Sequence, residues 1–325
     1  MDRLRPPAHL LDRFGHEVNA LGLAGRFAVA VSGGPDSLAL LLLAAACCPG
    51  RIEAATVDHG LRKESTAEAA FVAGICRTLD VPHEILRAQV EAGRSSRQRA
   101  AREARYAALD KWMAQRALPA VATAHHIDDQ AETLLMRLLR GSGVGGLAGV
   151  RLRSPLPFPG SDRVVVRPLL GWRRDELRAI VDAAKITPVD DPSNRDPAYD
   201  RVRIRQHLAE NGLLDPEALA VSAAALADAE DALGWSTDRV WTERVRSLDG
   251  KFHFDPAGIP GELRRRVLLR ILDALSDGAP APRGEQLVRL LETLGDEGTG
   301  TLAGVRAQGG PVWLFGRAPA RRESK

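Results

Sequence analysis

The 325-residue chain has only three cysteines, Cys47, Cys48 and Cys76, and no C-x-x-C pair. An odd, unpatterned count supports neither a disulfide framework nor a zinc knuckle, and it points to a reducing, cytoplasmic setting. Long apolar runs are missing too. The longest, Leu38–Cys48, is eleven residues, too short to span a bilayer, so no membrane association is expected. The first ten residues are charged and proline-containing, without the apolar run and small-residue site of a secretory signal. No internal repeat is visible. No G-x-x-x-x-G-K-[ST] phosphate loop occurs, since Gly250-Lys251 is followed by Phe252. A strong charge bias is also lacking: the net charge of +3 decides nothing about nucleic acid, because distribution outweighs the sum.

What remains is an ordinary globular composition, 45% apolar and 27% charged, in a chain long enough for two domains. Over the first two hundred residues, strand-like and helix-like runs alternate. Phe27–Val31 precedes the apolar helix Ser37–Cys48, Ile52–Val57 precedes Thr66–Leu79, His83–Leu86 precedes Ser96–Arg116, and Ala120–Ala124 precedes Asp128–Arg140. Val164–Val166 adds a strand and Arg173–Ala184 a helix. This alternation predicts an α/β fold with a doubly wound parallel sheet, in which ligands sit at the carboxyl ends of strands. Asn211-Gly212 and Asp215-Pro216 mark a boundary, giving a catalytic domain over 1–212. A smaller, mainly helical domain over 213–325 follows, with an apolar stripe of Leu263, Val267, Leu268, Ile271 and Leu275. Thr301–Ala307 and Pro311–Phe315 around Gln-Gly-Gly predict a terminal hairpin.

Ser32-Gly33-Gly34-Pro35-Asp36-Ser37 follows the first strand and opens the first helix. Two glycines let backbone approach a ligand, and the free N–H groups of a helix start attract phosphate. Ser32 and Ser37 add hydroxyls, and Asp36 can hold a magnesium ion that bridges phosphate oxygens. The competing reading is a capped Gly-Pro turn. The order of strand, loop and helix favours phosphate binding.

Ser-Gly-Gly-x-Asp-Ser in this place resembles the PP-loop of the N-type ATP pyrophosphatases, adenine nucleotide alpha hydrolase-like proteins that adenylate a substrate and release AMP. Four further segments narrow the resemblance: Val57-Asp-His-Gly-Leu-Arg62, Ala101-Arg-Glu-Ala-Arg-Tyr106, Ala124-His-His-Ile-Asp-Asp-Gln-Ala-Glu-Thr133 and Arg140-Gly-Ser-Gly-Val-Gly-Gly-Leu147. Together, over about residues 25 to 205, they are similar to the tRNA(Ile)-lysidine synthetases. These use ATP, magnesium and free lysine to convert the wobble cytidine of a CAU-anticodon isoleucine tRNA to lysidine.

The resemblance implies nucleotide binding by Ser32–Ser37 with Asp58, His59 and His126, and catalysis by Asp36, Asp129, Glu132, Arg201 and Arg205. Spacings of three and four put Asp129 on one helical face with Glu132 and Thr133. Carboxylates there suit a lysine ammonium and its proton. Asp128 has a plain capping role as an equal alternative. His125 and His126 point to opposite faces of a strand, which makes a shared metal ion awkward. A structural histidine is the alternative to a phosphate- or adenine-side one.

Gly141-Ser-Gly-Val-Gly-Gly146 matches G-x-G-x-x-G, but it follows a helix and no helix is expected after it. NAD is therefore rejected, and Gly141 and Gly143 are expected in a loop over the nucleotide or substrate. Arg94, Arg97, Arg99, Arg102 and Arg105 form an arginine run suited to phosphate or RNA, with a solvated face as its alternative. Arg105, like Thr133, is placed on the substrate side. Where the family usually shows Arg-Asn, Arg201 is here followed by Val202. In the second domain Arg264 and Arg265, beside Arg266 and Arg270, are candidate tRNA contacts. Trp172, Trp235 and Trp313 are expected in the core. Monomer and homodimer both remain open. The rivals are a PP-loop tRNA thiolation enzyme, disfavoured by the missing C-x-x-C, and a non-catalytic ATP-binding sensor.

Overall fold

The computed structural model describes residues 2–58, 65–88, 97–190, 196–210, 212–276, 282 and 284–319. The chain divides into two compact units, Met1–Ala227 and Asp228–Lys325.

The first unit is built on a six-stranded sheet. Its strands are β1 (Phe27–Ala30), β2 (Ile52–Asp58), β3 (His83–Arg87), β4 (Ala120–Ala122), β5 (Arg153–Pro155) and β6 (Val164–Val166), in the order β3-β2-β1-β4-β6-β5. All neighbours run parallel except β5, which pairs antiparallel with β6 at the edge, where Pro155 is tolerated. Side chains alternate across a strand. Phe27, Val29 and Val31 therefore enter one buried cluster, while Ala28 faces the other with Ala55, Val121 and Val165.

Helices α1 (Ala8–Ala20), α2 (Pro35–Cys47) and α3 (Ser65–Thr78) pack on the first face, joined by the later helix over Arg174–Ala183, which adds Leu177, Ile180 and Val181 to the same cluster. Every residue of α2 from Ser37 to Ala44 is buried, so this helix needs no polar side. Its unbroken apolar run, too short for a membrane, is explained by that position. On the other face lies α4 (Arg97–Arg116), packing Tyr106, Leu109, Trp112 and Met113. The first unit also holds α5 (Ile127–Leu138), α6 (Val144–Leu147), α7 (Arg174–Ala183) and α8 (Asp200–Glu210). Because β1 pairs with β2 on one side and β4 on the other, strand order reverses between β1 and β4. A crevice opens there at the carboxyl ends.

The doubly wound sheet agrees with the strand–helix alternation of the sequence. The sequence did not anticipate the edge strand β5, the short helix α6, the helix α8 over the basic Arg201–Arg205 segment, or the helix α1, which buries Phe14 and Val18.

Helix α9 (Pro216–Arg244) contains the division between the units, downstream of the Asn211-Gly212 turn signal. The second unit continues with β7 (Val245–Leu248), β8 (Lys251–Phe254), α10 (Gly261–Leu275), α11 (Gly284–Gly295), β9 (Thr299–Leu302), β10 (Val305–Gln308) and β11 (Trp313–Arg317). Its strands form one antiparallel sheet, β7-β8-β11-β10-β9, more than the terminal hairpin expected. The stripe of Val267, Leu268, Ile271 and Leu275 on α10 is buried with Phe254, Trp313 and Phe315, and Leu263 packs against it half-buried. Thr301–Ala307 is not one strand. Ala303 and Gly304, at φ 49° and 77°, turn it back as a two-residue hairpin, as do Asp249 and Gly250 at φ 50° and 73° between β7 and β8.

Trp172 and Trp313 are core residues, but Trp235 is 63% exposed, with the Arg239 guanidinium 5.1 Å above its ring. Among the described residues no helix is long and apolar enough to cross a membrane.

Candidate active site

The loop after β1 is braced by its own hydroxyls. Ser37 Oγ accepts from the Ser32 N–H at 3.1 Å, lies 3.1 Å from Ser32 Oγ, and donates to the Gly34 carbonyl at 3.0 Å. Gly33 has φ +84°, and a Cβ there would come within 2.8 Å of Val189 Cγ2, so only glycine fits. Val189 in turn donates its N–H to the Gly33 carbonyl at 2.9 Å. Gly34 caps α2 and Pro35 opens it, leaving the helix start directed at a cleft of about 340 Å³. Asp36, in that first turn, has a buried Oδ1 with no hydrogen-bond partner among the described residues. An orphaned carboxylate oxygen suits a cation. No group of three or more His, Cys, Asp or Glu able to hold a metal occurs among the described residues. Asp36 would therefore be the residue to hold a magnesium ion that arrives with the nucleotide phosphates.

Across the crevice, the end of β4 supplies the opposite wall. His125 lines the cleft, with its Nδ1 2.9 Å from Thr123 Oγ1. Burial pushes its pKa down to about 4, against the pull of Asp129, so it is neutral near pH 7. His126 points the other way and is 1% exposed. Burial alone would lower its pKa, but Asp128, Asp36 and Asp129 outweigh that and raise it to about 9. Asp129 begins α5, faces the cleft and accepts the His126 N–H at 3.1 Å. Asp128 sits away from the cleft and accepts the Arg174 N–H at 2.9 Å. Burial alone would raise its carboxyl, yet His126 and that N–H hold it well below the carboxylate range.

Beneath this wall Glu132, 1% exposed, gathers three arginines from two other helices. Its carboxylate accepts from Arg174 Nη2 at 2.8 Å, Arg201 Nε at 2.7 Å and Arg205 Nε at 2.8 Å. Arg201 also donates Nη2 to Asp129 Oδ1 at 2.9 Å. Burial would raise the Glu132 pKa, but the arginines bring it down to about 2. The result is an ionised anchor that ties α7 and α8 to α5 and presents Arg201 to the cleft.

A PP-loop domain family matches residues 10–211. The tRNA(Ile)-lysidine synthase of Novosphingobium aromaticivorans is 49% identical over 96% of this chain and 95% of its own length. The chain belongs to the tRNA(Ile)-lysidine synthase family. The Zymomonas mobilis member is 42% identical over 93% of this chain and 91% of its own. A solved U34-tRNA thiolase from Methanococcus maripaludis, which carries a [4Fe-4S] cluster, shares the fold. It matches with a TM-score of 0.51 at 17% identity, over 63% of this chain and 72% of that one. As a PP-loop ligase of this family, the chain is an ATP-binding, ATP-dependent enzyme of tRNA modification.

Several residues singled out for this family converge on the cleft: Ser32, Gly34, Pro35, Asp36, Ser37, Arg105, Asp129 and Arg201 all line it. Others lie elsewhere. Asp58 ends β2, where Ser65 Oγ donates to its Oδ1 at 2.7 Å. His59 and Arg94 fall outside the described residues, as do the side chains of Arg97 and Arg99. Thr133 is half-buried on α5. Gly141, at φ +67°, ends that helix. A short helix does begin after it, contrary to the sequence expectation: Gly143 caps α6. The element before this loop is still a helix, which keeps it from being a dinucleotide fingerprint. Its carbonyls are held, since Arg137 Nη1 donates to Gly146 O at 2.6 Å and Gly149 O at 3.1 Å.

In the second unit, Arg265 is committed to Glu262, at 2.6 and 2.7 Å. Arg264 is half-buried on α10. His125 and Arg174 were not singled out from sequence. The alternation of side chains was the available signal, and the nucleotide side was assigned to His126; the structure corrects that assignment, because His125 lines the cleft while His126 turns into the interior. Nothing local marks Arg174. Cys48 and Cys76 are buried, which pushes their thiols up to about 11 and about 12. Neither is a ready sulfur nucleophile.

Proposed function

We propose that the chain joins free lysine to C2 of the wobble cytidine in the CAU anticodon of isoleucine tRNA, converting ATP to AMP and pyrophosphate and changing the codon read from AUG to AUA. One observation carries this reading: the PP-loop with Asp36 and the carboxylate–arginine wall of Asp129 and Arg201 face one another across a single cleft.

In the first step the cytosine carbonyl oxygen attacks the α-phosphorus of ATP, and pyrophosphate leaves. The start of α2 and the hydroxyl of Ser32 receive the phosphates, and Arg201 stabilises the charge that develops on them. Asp36 would hold magnesium, which when bound would neutralise phosphate charge. In the second step the lysine amine forms the bond to C2, the C2–O bond breaks, and AMP leaves with that oxygen. Asp129 meets the lysine ammonium and takes up its proton as the amine becomes nucleophilic. Glu132 does not serve as that base, because three arginines hold it ionised down to about pH 2. It sets the position of Arg201 and, through it, of Asp129.

Arg105 and Arg102 at the cleft contact tRNA or nucleotide phosphate, and Arg264 contacts tRNA from the second unit. The missing C-x-x-C pair and the burial of Cys48 and Cys76 speak against sulfur transfer as the alternative.

The test separates the two steps. The enzyme, ATP, magnesium and isoleucine tRNA without lysine should release pyrophosphate to about one equivalent per site, and a lysine chase should then release AMP. AMP released continuously without lysine, or no pyrophosphate until a sulfur donor is added, would refute the proposal.

A further inference from the structure

His126 is central to the site, yet the proposed steps give it no part. Its ring is 1% exposed, and carboxylates from two elements surround it. Nε2 lies 3.5 Å from Asp36 Oδ2, in the first turn of α2, and 3.5 Å from Asp129 Oδ2, in the first turn of α5. Nδ1 lies 3.4 Å from Asp128 Oδ2, an oxygen already tied to the Arg174 N–H at 2.9 Å. The backbone N–H of His126 donates to the same Asp129 oxygen that its ring faces.

Two consequences follow from this geometry. Asp129 has one oxygen between the His126 backbone N–H and the His126 ring and the other set by Arg201, which leaves its carboxylate a single orientation towards the cleft. Asp36 has Oδ2 turned to the ring, and its other oxygen has no hydrogen-bond partner among the described residues. One nitrogen therefore stands between the carboxylate assigned to the nucleotide side and the carboxylate assigned to the amine side. Without a group between them, two carboxylates this close to a common point repel. On the far side Asp128 Oδ2 stands 3.4 Å from Nδ1, close enough to favour the charged ring but without a hydrogen bond to it among the described residues.

We propose that His126 is a positioning residue that couples the two halves of the reaction, its Nε2 setting Asp36 for the magnesium nucleotide and Asp129 for lysine at once. This rests on the function proposed above. It predicts that losing the ring damages both subsites together, although the side chain touches neither substrate.

The test compares His126→Ala, His126→Gln and His126→Asn in the full chain. Its readouts are Mg-ATP affinity by calorimetry, the lysine KM in turnover, tRNA affinity, and melting temperature. His126→Ala should weaken Mg-ATP binding and raise the lysine KM, each by about 10- to 100-fold, the range found for groups that orient liganding residues. The tRNA affinity should be unchanged. His126→Gln, whose amide reaches towards the Nε2 position, should recover part of both losses. His126→Asn, whose amide reaches only the Nδ1 position, should recover neither. A purely packing role would lower the melting temperature and leave both constants near wild type, which would overturn the proposal. If His126→Ala does not fold, equal constants for the Gln and Asn variants overturn it equally. Absence of lysine incorporation by the wild type would refute the functional reading instead, and the Mg-ATP comparison would still test the Asp36 arm.

Discussion

Replacing Glu132 by glutamine removes one negative charge from beneath three guanidinium groups and leaves the side-chain volume almost unchanged. The effect on stability can be worked from the structure in two ways. A buried glutamate that titrates at about 2 in place of the ordinary 4.5 contributes about 3 kcal/mol at neutral pH. Breaking a buried ion pair by neutralising one partner costs about 3–5 kcal/mol. The two agree. For a unit of this size, about 3 kcal/mol corresponds to a melting temperature lower by roughly 6–12 °C.

The pH dependence has a definite sign. Because folding lowers the carboxyl pKa, its contribution is complete above pH 4.5 and is lost as pH falls towards 2. The gap between wild type and Glu132→Gln should therefore be constant from about pH 5 to 7 and close below about pH 4.5. Calorimetric unfolding across that range measures it. A melting shift below about 2 °C at pH 7, or a gap that does not narrow in acid, would refute the description of Glu132 as an ionised anchor.

Other substitutions separate chemistry from scaffold. Asp36→Asn should reduce tRNA-dependent pyrophosphate release by roughly 10²–10³-fold, the scale of losing one group that stabilises transition-state charge, with the melting temperature near wild type. Gly33→Ala should destabilise the first unit by about 1–3 kcal/mol through left-handed strain and the clash with Val189, read as a lower urea midpoint. Arg264→Ala should weaken tRNA binding and flatten its salt dependence, by roughly 0.7–0.9 in log–log slope for each phosphate that is no longer neutralised. Arg265→Ala should instead leave that slope unchanged, because its guanidinium is committed to Glu262. Trp235→Ala should change unfolding stability by less than about 0.5 kcal/mol, as its exposure requires.

The sheet of the first unit was legible because each strand is a short apolar run followed by a helical pattern, and the PP-loop stands where strand turns into helix. The strand order was not written locally. That β1 lies between β2 and β4 depends on tertiary packing, and it is this that brings Ser32 opposite Asp129. Helix α1 precedes the first strand and carries no capping signal, so its two buried residues, Phe14 and Val18, gave little to read. In the second unit Asp249-Gly250 is a hairpin dipeptide that could have been read as one. Ala303-Gly304 could not, because alanine seldom adopts positive φ.

The site shows the same division. Residue types and helical spacing grouped Asp129 with Glu132, yet no spacing tells that one faces the cleft while the other lies beneath it under three arginines. Two of those arginines, Arg201 and Arg205, come from α8, about seventy residues away in sequence. The roles of His125 and His126 likewise depend on which face of the chain turns inward after β4, a choice made by the carboxylates packed around His126.

The central claim is that one cleft adenylates a cytidine and then receives lysine. The most direct measurement is incorporation of radiolabelled lysine into purified isoleucine and methionine tRNA transcripts with CAU anticodons, with AMP counted in parallel. The account predicts label in the isoleucine tRNA alone, with one AMP formed for each lysine incorporated. Bound ATP with no label in either tRNA, or AMP formed without lysine transfer, would contradict it.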